Sequence, residues 1–294
     1  MTEFRGTYTA LITPFRADGS LDLESLAGLV EWQIEAGIDG LVPCGSTGES
    51  ATLTPEEHVQ VVRHVVDVVG GRVPVVAGTG SNSTREAIEF TIEAREAGAD
   101  GALLISPYYN KPTQDGIFHH YRTIAEDTGL PLVIYNIPGR TASRIEPDTV
   151  GRLSRVPGVV GIKEAGGDLE KTALAIAASD AGFSVLSGDD ALTLPILSLG
   201  GHGVISTVSN IAPGLFTQLW RAFASGDVAG AREIHYRLLP LIQAIFVETN
   251  PIPIKAAVAM LGRIPNAALR LPLTELQKAN RDQLEAALSV LEPE

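Results

Sequence analysis

The sequence predicts an α/β fold, a (β/α)8 (TIM) barrel with a C-terminal helical extension. Three observations carry this expectation. Eight short β-like runs alternate with amphipathic helical stretches. No glycine-rich nucleotide fingerprint accompanies them, which disfavours a doubly wound open sheet. The length of 294 residues suits one barrel, and a composition 45% hydrophobic but only 5% aromatic supplies the aliphatic residues that strands buried on both faces require.

The expected strands, in order, are Tyr8–Ile12, Gly40–Val42, Val73–Ala77, Ala102–Ile105, Leu132–Tyr135, Val159–Lys163, Ser184–Ser187 and Val204–Ser206. The helices between them carry start and stop signals. Leu23, Leu26, Val30 and Ile34 form one apolar face. Thr54-Pro55-Glu56-Glu57 reads as a capping box with proline in the first turn, followed by a stripe of Val59, Val62, Val66 and Val69. Ser83-Thr84-Arg85-Glu86 reads as a second capping box. Ala36-Gly37 and Ala97-Gly98 each end a helix with glycine and lead into the next strand. After the eighth strand, 212–249 and 253–290 read as helical throughout, with Thr274-Glu275-Leu276-Gln277 capping the last helix. Residues 1–212 are therefore expected to form the barrel core. Residues 213–294 supply its last helix and an extension within the same structural unit.

The composition excludes several classes of function. A net charge of −13 repels phosphate backbones and anionic lipid, so neither nucleic acid nor a membrane is an expected partner. The lone Cys44 rules out an intramolecular disulfide or a cysteine-based zinc site and reads as a small buried apolar residue. No apolar leader follows Met1 and no apolar run reaches a membrane-spanning length, so a cytoplasmic protein is expected.

In such a barrel, chemistry belongs at the C-terminal ends of the strands. The sixth run ends in Lys163-Glu164 after an apolar Val159-Val160-Gly161-Ile162. A buried ammonium is costly, and desolvation lowers its pKa and makes the amine nucleophilic, as Schiff-base chemistry needs. Position alone also allows a lysine that snorkels to solvent or pairs with Glu164. Tyr135 ends the neighbouring strand and points across the mouth toward Lys163, as a proton shuttle or as a core tyrosine. Arg140, in the loop beyond it, is either a carboxylate clamp or a surface charge. Gly45-Ser46-Thr47-Gly48-Glu49-Ser50 offers backbone N–H groups and hydroxyls to a carboxylate, or is an ordinary turn. Tyr108-Tyr109 ends the fourth run, where the pair serves a site or a subunit contact. Gly188-Asp189-Asp190 is an acidic pair with no histidine motif near it, and adjacent His119 and His120 cannot share a helix face, so no metal is expected.

Together, Gly45-Ser46-Thr47-Gly48-Glu49, Tyr135-Asn136-Ile137-Pro138, Gly161-Ile162-Lys163-Glu164 and Gly203-Val204-Ile205-Ser206 resemble the dihydrodipicolinate synthase/N-acetylneuraminate lyase family over nearly the whole chain. Pro138-Gly139-Arg140-Thr141, the paired tyrosines Tyr108-Tyr109 and Glu248-Thr249-Asn250-Pro251-Ile252-Pro253-Ile254-Lys255 resemble the branch that condenses pyruvate with aspartate semialdehyde in lysine and diaminopimelate biosynthesis. The resemblance implies that Lys163 forms the imine with pyruvate. It implies a proton relay of Tyr135, Ser46 and Tyr109, the last from a neighbouring subunit of a homotetramer built as a dimer of dimers. Thr47 and the backbones of Gly188 and Ile205 would line the pyruvate pocket, and Arg140 would hold the semialdehyde carboxylate. Ser46 departs from the threonine usual in that branch. No metal or organic cofactor is implied. An L-lysine effector site would comprise Ser50, Ala51, His58, Asn82, Glu86 and Tyr108, with Pro55 where feedback-sensitive bacterial members often carry histidine.

Overall fold

The structure, a computed structural model, describes residues 3–291. Its strands are β1 (Gly6–Ala10), β2 (Gly40–Val42), β3 (Val76–Gly78), β4 (Gly101–Ile105), β5 (Leu132–Asn136), β6 (Val159–Glu164), β7 (Ser184–Ser187) and β8 (Gly203–Ser206). They form one eight-stranded sheet in the order β2-β1-β8-β7-β6-β5-β4-β3, with every neighbouring pair parallel. A parallel bridge between Leu41 and Val75 closes the barrel, and Leu41 donates its N–H to the Pro74 carbonyl at 3.0 Å. The eight expected strands are all present. The third starts later than expected, because Pro74 has no N–H for the ladder.

Side-chain alternation separates two apolar layers. On β5, Leu132 and Ile134 join the layer under the helices, whereas Val133 and Tyr135 join the barrel interior with Val42, Leu103, Leu186 and Ile205. The period of two thus aims Tyr135 inward. The foot of the barrel is filled by Phe4 and Tyr8, packed edge to face at 6.0 Å. Glycine is required beside them: a Cβ on Gly40 would fall 2.1 Å from the Tyr8 ring, and one on Gly101 2.8 Å from Phe4.

The helix signals have mixed outcomes. Thr54 Oγ1 accepts from the Glu57 N–H and Glu57 accepts from the Thr54 N–H, a complete capping box on helix Pro55–Val69. Such a cap contributes about 1 kcal/mol. The buried stripe of this helix is His58, Val61, Val62, Val65 and Val69, so Val59 and Val66 sit one step off the packed face. Ser83 caps helix Thr84–Glu96, but the Glu86 carboxylate turns to the Ser81 hydroxyl instead of back to Ser83. Gly37 and Gly98 end their helices with φ of 83° and 92°. His120 is buried and His119 exposed, as opposite helix faces require.

The C-terminal region is more broken than expected. Its helices are Pro213–Ala224, Val228–Ile245, Ile252–Met260 and Lys278–Leu288. Gly226, at φ 88°, separates the first two. Pro265 and Pro272 lie in the segment 261–277, which runs back across the barrel mouth without helix. Thr274 caps nothing: Gln277 occupies the N-cap, and the Glu248 carboxylate accepts from the Gln277 N–H and the Asn280 amide at 2.9 and 2.8 Å. Among the described residues, no helix is long and apolar enough to cross a membrane.

Candidate active site

Lys163 occupies the C-terminal end of β6, in register with Tyr135 on β5 and Leu186 on β7. It is only 5% exposed, so it does not snorkel. Nor does it pair with Glu164. That carboxylate is engaged by the Asn136 amide at 2.9 and 3.2 Å and the Gly166 N–H at 2.6 Å. The Lys163 amine instead faces the Tyr135 ring, with Nζ 4.4 Å from its centroid. Burial pushes the amine down from its ordinary range to about 8, against the pull of the Asp190 carboxylate, with Arg140 adding to the depression. Burial also raises the Tyr135 phenol above its usual value, keeping it protonated and able to donate. Gly188 leaves room for the lysine stem, since a Cβ there would fall 2.8 Å from Lys163 Cγ.

Above this pair lies a recess of about 50 Å³, room for a few waters or one small organic acid. Lys163, Tyr135, Ser46, Thr47, Gly188 and Arg140 all line it. Thr47 is buried. Its Oγ1 accepts from Asn250 Nδ2 at 2.9 Å and lies 3.5 Å from the Thr207 hydroxyl. Arg140 stands at the rim, and its Nη2 donates to the Asn250 carbonyl at 3.0 Å. Ile205 does not line the recess. It is buried in the apolar layer of the barrel interior, and Thr207, two residues on, lines the recess. Tyr109 is also outside it, 88% exposed at φ 70° on the loop after β4.

The buried Asp190 carboxylate lies near enough to act on the Lys163 amine. Burial raises its carboxyl to about 6. Oδ2 accepts from the N–H groups of Thr207 and Val208 at 3.1 and 3.3 Å, and Oδ1 has no partner among the described residues. Asp189 is occupied in capping the Ala191 N–H.

A larger cavity of about 560 Å³ shares Gly45, Ser46, Tyr135, Arg140 and Asn250 with the recess. Five effector-site candidates line it: Ser50, Ala51, His58, Glu86 and Tyr108. The sixth, Asn82, lies beside it and donates to the Tyr108 carbonyl at 3.2 Å. His58 is buried, its Nε2 2.7 Å from the Gly78 carbonyl, and burial lowers its pKa, favouring the neutral ring.

Residues 3–291 match the model of the dihydrodipicolinate synthetase family. The chain belongs to that family. A 4-hydroxy-tetrahydrodipicolinate synthase of Nitratidesulfovibrio vulgaris (strain DSM 19637 / Miyazaki F) is 54% identical over 288 residues, 98% of each chain. The structure of the chloride-inhibited dihydrodipicolinate synthase of Acinetobacter baumannii complexed with pyruvate superposes with a TM-score of 0.95 at 44% identity, covering 97% of this chain and 98% of its own. A lysine-bound enzyme from Cyanidioschyzon merolae superposes with a TM-score of 0.95 at 43% identity, covering 98% of each chain.

Within this family member, sequence reasoning overlooked three residues that line the site or act on it. Asn250 stands in the sequence as one residue of a longer motif, yet its side-chain amide donates to Thr47 and its backbone carbonyl accepts from Arg140. Thr207 lies just past the β8 motif. Asp190 reads in the sequence only as half of an acidic pair. The strand-end rule applied to β7 and β8 would have found the last two; nothing local marks Asn250 as a partner of Thr47, 203 residues away.

Proposed function

We propose that this chain is a 4-hydroxy-tetrahydrodipicolinate synthase, condensing pyruvate with L-aspartate 4-semialdehyde through an imine on Lys163. The observation that carries the reading is the desolvated Lys163 amine beside a protonated Tyr135, in a recess sized for a small keto acid. Chemically, Lys163 Nζ attacks C2 of pyruvate and the carbinolamine loses water. The resulting iminium withdraws electrons from the methyl carbon, which loses a proton to give an enamine. That carbon attacks the aldehyde of the second substrate, whose oxygen takes up a proton. The substrate's amine then adds to the iminium carbon and expels Lys163, closing the ring and restoring the free enzyme.

The residues fall into roles along this path. Tyr135 and Ser46 exchange protons with the carbinolamine and enamine. Thr47, whose Oγ1 already accepts from Asn250, is left with its own proton to donate to the pyruvate carboxylate. Arg140 at the rim binds the semialdehyde carboxylate, and the position of Gly188 keeps the approach to Lys163 open. Tyr109 completes the relay of a neighbouring subunit in a homotetramer built as a dimer of dimers. Its exposed, left-handed presentation supports this. L-Lysine is the proposed effector of the larger cavity, where Glu86 offers a carboxylate to an ammonium group. Cytoplasmic residence follows from the same reading.

The purified enzyme is expected to turn over pyruvate plus aspartate semialdehyde and to be inactive on sialic acid and 2-keto-3-deoxy sugar acids. Preferred turnover of a sugar acid would move the chain to another branch of the family.

A further inference from the structure

Among the described residues, one ion pair is almost wholly removed from solvent. Lys255 Nζ lies 2.5 Å from Glu49 Oε1, with the two side chains 0% and 1% exposed. The other Glu49 oxygen accepts from the Arg270 N–H at 3.2 Å. The Lys255 ammonium and the Arg270 guanidinium both lie over the Phe15 ring, at 4.0 and 4.4 Å. Burying two such charges costs several kcal/mol per ion, and a well-packed apolar replacement is often neutral or stabilising. Stability alone therefore does not account for the pair, and what it fastens together is more informative.

On one side it fastens the loop that carries Ser46 and Thr47. Cys44 and Glu49 bracket this loop with φ of 56° and 55°, a left-handed conformation costing about 1 kcal/mol or more at each non-glycine residue. Gly48 is closely packed, since a Cβ there would meet the Cys44 nitrogen at 3.0 Å and the Leu11 carbonyl oxygen at 3.1 Å. A strained loop keeps one shape only if its surroundings hold it, and the Glu49 carboxylate is its anchor. On the other side, Lys255 lies on the first helix after Asn250, the residue that donates to Thr47 and accepts from Arg140.

We propose that the buried Lys255–Glu49 pair is a positioning device for the condensation. It sets the register between the Ser46–Thr47 loop and the Asn250–Arg140 contact, and so aims the Thr47 hydroxyl at the keto acid bound to Lys163. Because Thr47 Oγ1 accepts from Asn250, its hydrogen has to point elsewhere, toward the recess or Thr207. Lys255 thereby acts on the reaction without lining the recess. The inference rests on the reading of Lys163 as the imine-forming residue.

The test is the full-length Lys255→Met/Glu49→Gln variant, which removes both charges while keeping side-chain length and an acceptor for the Arg270 N–H. The expected result is a thermal midpoint close to that of the parent, with the KM for pyruvate raised about tenfold. The borohydride-trapped pyruvate adduct would still form on Lys163, but more slowly. Adding Thr47→Val to the variant should raise KM little further than Thr47→Val does alone, because both act through one hydroxyl. A folded variant with the parent's KM and trapping rate overturns the proposal, as do fully additive effects with Thr47→Val. If the double variant does not fold, Glu49→Gln alone decides. It weakens the pair while keeping the side-chain volume and the acceptor for the Arg270 N–H: a raised KM that Thr47→Val does not raise further supports the proposal, and an unchanged KM in the folded variant overturns it. The parent enzyme serves as control, for its own failure to trap pyruvate would instead sink the functional reading.

Discussion

Two of the five lysines lie inside the protein, and burial pushes both amines down to about 8. Their surroundings differ. Lys255 is locked against a carboxylate at 2.5 Å and lines neither the recess nor the larger cavity. Lys163 has no ion-pair partner among the described residues; its amine lies over the Tyr135 ring, and Lys163 lines the recess. A depressed pKa therefore does not by itself mark a nucleophile. The partner and the access decide: the Lys255–Glu49 contact holds the ammonium form and its geometry, whereas the Lys163 amine is free to lose a proton and to meet a carbonyl.

The pH dependence of imine formation sharpens this contrast most. Only the unprotonated amine attacks, so protonation below the pKa of Lys163 lowers the rate. With that pKa near 8, kcat/KM for pyruvate should climb about tenfold per pH unit between roughly 6 and 7.5 and level off just above 8. A rate still climbing steeply at pH 10 would mean an ordinary, solvated lysine. Stopped-flow or competition kinetics across this range would distinguish the two. A smaller effect is expected at Tyr109, the proposed subunit contact. Tyr109→Phe should slow turnover about tenfold or less while leaving borohydride trapping of pyruvate intact. Full turnover in that variant would remove Tyr109 from the relay, and loss of trapping would give it an earlier role than the one proposed.

Much of the reactive geometry was legible because it is local. Lys163 follows an apolar strand directly, Tyr135 ends the neighbouring strand, and a period of two aims both inward. The glycine stops at Gly37 and Gly98 and the capping box at Thr54 are likewise local signals, and the structure has them. The errors have physical causes. The valine stripe slipped by one because a helix rich in valine offers several faces that fit a 3.6-residue period. The C-terminal helices are shorter than the apolar pattern suggests because Pro265 and Pro272 interrupt them. The second buried lysine was not legible at all. Lys255 lies in an apolar stretch, and its partner Glu49 is 206 residues away, a pairing that only the closed barrel and its returning C-terminal segment create. Asn250 was hidden in the same way.

The central claim is that Lys163, and not the equally buried Lys255, meets the substrate. Borohydride reduction in the presence of pyruvate, followed by proteolysis and peptide mapping, tests it directly. The account predicts a single stable adduct on the peptide containing Lys163, no label on the peptide containing Lys255, and no adduct or activity after Lys163→Ala. An adduct on Lys255, or on any lysine but Lys163, would contradict it.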